Sequence, residues 1–294
     1  MSKKSILNKK AIETQETENN EFENKILINE PRKVLVGITN PQLASEFAFH
    51  VAKYTSVKVL IIDADGLKPS VAMCLGMRKL VNENVLTDFK SDSSFNMALD
   101  YIAKTQRPVL DIFKNIAVVH PSNKNLYVLT GNDDLERFEN YSESALELLL
   151  QTAINAFDFV IVNVPFNIYD QFYLTTLTNV DHMLYGFSAY ADELRIFNGQ
   201  ILFLNECGFG TLKKHQFIPF DYNSNRQLSV RDIKMAVDNN YIGVVNGDRK
   251  RQLYKNEFTK TYANNMSSKN IKDYHRLAKS FGYQTKKGLF VGKV

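Results

Sequence analysis

Short apolar runs alternate along the chain with longer stretches in which apolar residues recur every third or fourth position. Val34–Ile38 is a continuous apolar run rich in β-branched residues, the pattern of a strand buried on both faces. Asn40 can cap a helix and Pro41 suits its first turn, where the missing N–H has no intrahelical use. Leu43, Phe47 and Val51, flanked by Ala44, Ala48 and Ala52, then form one apolar stripe at helical spacing. Val59–Ile62 reads as a second buried strand. Helical patterns over 94–104 and 144–156 precede apolar strands at Leu126–Leu129 and Phe159–Val164. The alternation continues with Met183–Phe187, a helix over 192–204, Phe217–Phe220, a helix over 229–237, Tyr241–Val245 and a last helix over 269–281. Strands alternating with helices predict an α/β, doubly wound, mostly parallel sheet covered by helices on both faces.

Residues 1–30, dominated by Lys, Asn, Glu and Gln, bury too little apolar surface to offset ordering entropy and are expected to form a disordered polar tail. The α/β domain is expected over 31–283, followed by a short basic tail over 284–294. The absence of a long apolar run and of a signal-like N-terminus leads to the expectation of a cytoplasmic protein with no membrane span. Cys74 and Cys207 lack metal-ligand spacing and read as small buried hydrophobes. The five histidines are scattered, and no metal site is expected.

The chemistry of interest lies where the first strand meets its helix. Phosphate cradles at such a junction need glycines that let successive N–H groups converge, a lysine for β/γ charge and a hydroxyl for Mg²⁺. This junction reads Thr39-Asn40-Pro41-Gln42, with no glycine between Gly37 and Gly66 and no lysine nearby. Thr39 and Asn40 could offer a small anion site at the helix N-terminus, or simply cap it. Asp63 and Asp65 close the second strand, where they could serve as catalytic carboxylates or cap local N–H groups.

Several blocks, in order, resemble the ParA/MinD family of deviant P-loop ATPases. They are KVLIIDADGLKPSVAMCLGM (58–77), NLYVLTGNDD (125–134), FDFVIVNVPFNIYD (157–170) and NYIGVVNGDRKRQLYKNEFTKTYA (240–263). The resemblance covers roughly residues 33–282. It implies the family's P-loop NTPase-like α/β fold, ATP and Mg²⁺ as the family's ligands, dimerisation across the nucleotide face and protein partners in larger assemblies. It also places Asp63 and Asp65 at the family's strand-end Asp and switch-type Asp. The departures are equally specific: the family loop Lys-Gly-Gly-x-Gly-Lys-[Ser/Thr] is missing, the segment being shorter by about six residues. Asn163 stands where the Walker B Asp would orient Mg²⁺. No cofactor is therefore expected, with Mg-ATP as the alternative, and the chain is read as a degenerate, non-catalytic member similar to the CpaE/TadZ group.

Charge adds a second candidate. From Asn246 onward twelve lysines and arginines face three acids, a local balance of +9; the total is +4, so the preceding residues carry −5. Such asymmetry suits an acidic partner such as DNA. Arg249, Lys250, Arg251 and Lys255, with Lys272, Arg276 and Lys279 on the last helix, are the candidate nucleic-acid-binding residues. Phe166, Tyr169, Phe172 and Tyr173 are candidates for a self-association surface. Three functions fit: a scaffold or positioning factor for a pilus, secretion, conjugation or partition machine; a DNA-associated partition or replication accessory; and an ATPase with a non-standard site.

Overall fold

A computed structural model describes residues 33–77, 94–108, 110–131, 142–209, 214–237, 240–254 and 261–284. The expected N-terminal tail, Lys255 and all of the basic C-terminal tail except Gln284 lie outside them. Seven strands form one sheet: β1 (Val34–Ile38), β2 (Val59–Asp63), β3 (Val118–His120), β4 (Asn123–Leu129), β5 (Phe159–Asn163), β6 (His182–Phe187) and β7 (His215–Pro219). Their spatial order is β3-β4-β2-β5-β1-β6-β7. Every neighbouring pair is parallel except β3 with β4, an antiparallel edge that the sequence pattern did not announce.

Alternate strand residues feed two cores, as a parallel sheet covered on both faces requires. Leu35, Leu60, Ile62, Val160 and Val162 pack with α3 (Ser94–Thr105), α4 (Ile112–Ile116), α5 (Glu143–Ala156), α6 (Gln171–Asn179), α7 (Ala191–Glu206) and α8 (Val230–Val237). Val34, Val36, Ile38, Val59, Ile61 and Phe159 face α1 (Pro41–Tyr54), α2 (Val71–Cys74) and α10 (Ser268–Ser280). The short helix α9 (Arg249–Tyr254) stands just before the last of these.

α1 is buried from Leu43 to Ala52, so its polar residues must find partners inside. His50 does so against His275 of α10, with Nε2 and Nδ1 2.9 Å apart. Burial, then His275 and Lys53, pushes the His50 pKa well below its ordinary value.

The expected strand at Tyr241–Val245 is not formed. Only isolated bridges, Phe217–Tyr241 and Tyr222–Asn246, join this segment to β7 and the turn after it. They flank Gly243, whose φ of 146° takes the chain out of strand geometry. The two cysteines also differ from expectation: Cys74 is half-buried and Cys207, at the outward end of α7, is exposed.

Candidate functional site: the C-terminal edge of the sheet

The parallel register sets Ile38 opposite Asn163 and Asn163 opposite Asp63, so β1, β5 and β2 end side by side. Thr39, Asn40, Asp63, Asp65 and Asn163 therefore lie along one edge, where open α/β sheets bind ligands.

At β1 the helix begins at once. Asn40 is extended and its Oδ1 accepts the Leu43 N–H at 3.0 Å, while its carbonyl accepts that of Ala44 at 2.9 Å. Pro41 contributes no N–H. The Thr39 N–H donates to the Leu184 carbonyl of β6 at 3.2 Å, and the Thr39 hydroxyl, shut away from solvent, makes no hydrogen bond. At this turn Pro41 has no donor, and the Thr39, Leu43 and Ala44 N–H groups are already engaged.

Asp63 is only 1% exposed. Its Oδ2 accepts the Val71 N–H at 2.9 Å and its Oδ1 accepts Asn163 Nδ2 at 2.8 Å. Gly131 seals the remaining side: a Cβ there would stand 2.9 Å from Oδ2 and 2.4 Å from Pro69 Cβ. Burial pushes the Asp63 carboxyl up to about 7; the Val71 N–H and the Asn163 amide oppose the rise, and nearby Asp65 adds to it. Asp65 is turned to its own loop, where Oδ1 accepts the N–H groups of Leu67 (3.2 Å) and Lys68 (2.9 Å). A third acid, Asp170, caps α6 through the Tyr173 N–H at 2.8 Å, and burial raises its carboxyl. Of the two readings open for Asp63 and Asp65, the geometry is that of capping carboxylates.

Asn163 is fully buried. An aspartate in its place would set a second carboxylate against Asp63, and with no cation between them one of the two would have to stay protonated. Among the described residues the site does not fit Mg-ATP: the turn after β1 supplies no glycine loop and no lysine, and the position beside Asp63 is an uncharged amide. Among the described residues, no three His, Cys, Asp or Glu side chains converge to hold a metal ion.

The cationic candidates divide. Arg249 and Lys250 are exposed at the start of α9, and Lys272, Arg276 and Lys279 are exposed along α10, Arg276 reaching Asp273 at 3.2 Å. Arg251 corrects the expectation of a basic surface triplet, because it is fully buried. Its Nε and Nη2 donate to the two Glu46 oxygens at 2.8 and 2.9 Å, its Nη1 to Asp221 at 2.7 Å and to the Asn246 carbonyl at 3.1 Å, and its Nη2 also to Asn270 at 3.0 Å. The guanidinium lies between the Phe220 and Tyr262 rings, 4.7 and 4.6 Å from their centroids. Burial opposes its charge, but Glu46 more than offsets this and raises its pKa. Tyr274 completes the cluster by donating to Glu46 at 2.8 Å. One signal in the sequence could have exposed this network: Glu46 sits within the apolar run of α1, and a buried carboxylate demands a buried cation.

The aromatic candidates divide as well. Phe172 and Tyr173 are core residues, whereas Tyr169 is 86% exposed and Phe166 stacks on Phe197 at 4.4 Å. They do not form one surface, because α6 turns Phe172 and Tyr173 toward the sheet.

No protein-family model matches the sequence, and no curated protein resembles it. Solved structures do. A ParA family ATPase from Chlorobium tepidum superposes with a TM-score of 0.67 at 16% identity, covering 84% of this chain and 99% of that one. The septum site-determining protein MinD from Pyrococcus horikoshii, complexed with Mg-ADP, gives 0.63 at 16%, covering 84% and 95%. A putative plasmid partition protein from Borrelia burgdorferi, bound to AMPPNP, gives 0.61 at 14%, covering 86% and 98%. At such identities the likeness speaks for architecture alone, and the seven-stranded order agrees with it: this chain has the α/β fold of the ParA and MinD ATPases.

Proposed function

We propose that this protein is a non-catalytic scaffold or positioning factor: a ParA/MinD-like body that has lost nucleotide chemistry and works in the cytoplasm through its surfaces. The observation that carries this reading is the closure of the strand-end edge by its own side chains. Asn40 fills the helix N-terminus, and Asn163 binds Asp63 where a metal-orienting carboxylate would be needed. The folds it resembles include proteins named for septum siting and plasmid partition, which supports placement of a larger assembly as the task. Self-association, if it follows the family, is here independent of ATP.

The test is a thermal melt with and without millimolar Mg-ATP, combined with a phosphate-release assay. A ligand at 100 times its Kd stabilises a fold by about 2.7 kcal/mol. No upward shift and no hydrolysis are expected. A clear shift abolished by Thr39→Ala or Asp65→Ala would overturn the reading in favour of an ATPase with a non-standard site.

A second reading, a DNA-associated accessory, is favoured by one observation. Lys269, Lys272, Arg276 and Lys279 are exposed along α10 at helical spacing, while Asp273, the acid among them, is buried. Binding through such a row would weaken steeply with salt. A Lys272→Glu/Arg276→Glu/Lys279→Glu variant should then lose binding to duplex DNA at low salt. Full binding by that variant would remove this reading.

A further inference from the structure

We propose that the outer face of α7 is a self-association surface, made to pair antiparallel with the same face of a second copy of this chain. This goes beyond the scaffold reading by naming a partner and a surface, and it needs no nucleotide.

Large apolar side chains on a helix normally turn inward, and Leu194, Ile201 and Leu204 of α7 do. On the opposite side of the same helix, Ile196, Leu202 and Phe203 are 59%, 56% and 49% exposed. On α8, which Asn198 Nδ2 reaches by donating to the Ala236 carbonyl at 2.9 Å, Met235 is likewise 66% exposed. Asp192, Ile196, Gly199, Phe203 and Glu206 follow one another at alternating steps of four and three, the spacing of a seam between paired helices.

Gly199 points to what covers this face. A mid-helix glycine costs about 1 kcal/mol relative to alanine. Nothing among the described residues repays that cost, since a Cβ at this exposed position would meet none of their atoms within 4 Å. A missing side chain in the middle of an apolar stripe makes room for a bulky group from outside.

The stripe supplies that group itself. With a two-fold axis passing near residue 201, Phe203 of one copy faces Gly199 of the other, and the reciprocal contact forms at the same time. The same register brings Arg195 of each copy beside Glu206 of the other, so the charges flanking the apolar stripe are self-complementary. Nucleic acid or an anionic membrane is a poorer fit, because Asp192 and Glu206 stand at the ends of the stripe. The contact is one helix pair with the edge of α8, small for an interface, so a weak and concentration-dependent dimer is expected.

Sedimentation equilibrium of the full chain without nucleotide, up to about 0.5 mM, reads this directly. A monomer–dimer equilibrium is expected. Phe203→Glu and Ile196→Glu should weaken it at least about tenfold, with melting temperature unchanged because both residues are exposed. Arg195→Glu and Glu206→Arg should each weaken it, and the double reversal should restore it. A monomer at every concentration, a dimer indifferent to Phe203→Glu, or a double reversal no better than the single variants would overturn the proposal. A lowered melting temperature in Phe203→Glu without any dimer would mean that the chain covers this face itself, and would overturn it equally. None of these outcomes depends on whether Mg-ATP binds, so the two proposals fail separately.

Discussion

Two polar clusters lie along α1, one at its N-terminus and one a turn further in, and they are built on opposite terms. At the strand-end edge, Asn40, Asp65 and Asp170 cap N–H groups within three residues of themselves, and Asp63 is held by an uncharged amide from the neighbouring strand. Between α1, α9 and α10, a full ion pair is buried: Glu46 and Arg251, 205 positions apart, meet with neither side chain exposed. In the first cluster the acids are met by N–H groups and an amide. The second keeps its charges because each has a partner, and it fixes α9 and α10 to α1. The strand-end edge is held by short-range bonds, while the buried ion pair ties together segments far apart in the chain.

Breaking the network should have the largest effect. Glu46→Ala or Arg251→Ala leaves a buried charge alone and should cost about 3–5 kcal/mol in chemical denaturation. A loss below 1 kcal/mol would show that water reaches the cluster and that the contrast with the strand-end edge is overdrawn.

Restoring charge at the edge comes next. Asn163→Asp puts two carboxylates in contact and should destabilise the fold by about 2–3 kcal/mol at pH 8, with the loss shrinking as the pH falls and one of them takes up a proton. If Mg²⁺ returned the variant to wild-type stability, the edge would retain a metal site and the scaffold reading would weaken.

The native Asp63 carries a pH signature of its own. Its carboxyl titrates near 7 in the fold against 3.8 as an ordinary carboxyl, so between these values the folded state keeps a proton that the unfolded chain has lost. Stability from this group is therefore present below about pH 4 and is lost as the pH rises toward about 7. The buried histidines act with the opposite sign, since His50 and His215 are held neutral and cost stability below their ordinary range. The stability of the wild type minus that of Asp63→Asn isolates the carboxyl: the difference should fall across pH 4–7, by roughly 3–4 kcal/mol. A flat difference would mean that Asp63 is ionised in the fold.

Asn40→Ala should have the smallest effect, about 1 kcal/mol, through loss of the cap on α1. A neutral result would mean that the Leu43 N–H has another acceptor, leaving the helix N-terminus freer than its hydrogen bonds imply.

How much of this was legible in the chain depends on how local each cause is. The strand–cap–helix order of Val34–Tyr54 could be read directly, since β-branched burial, an Asn cap and a Pro at the first turn act within a few residues. The absence of glycine and lysine from the turn after β1 was equally legible, because such residues either stand there or do not. The segment 241–245 carried a strand's composition, and only the conformation of Gly243 in its place beside β7 broke the pairing. Arg249-Lys250-Arg251 reads as a run of three surface cations, and nothing within that run separates the third from the first two.

The sequence by itself determined the α/β alternation, the two-faced sheet and a turn after β1 without glycine or lysine, because period, capping and residue identity are local properties. Only the tertiary structure decided that Arg251 turns inward to Glu46, that Asp63 is sealed by Gly131 and Asn163, and that no described residue covers the apolar outer face of α7. Each of these depends on which distant segments meet. A charge or an apolar side chain has its energy set by the surroundings the fold brings to it, and no window of neighbouring residues contains that information.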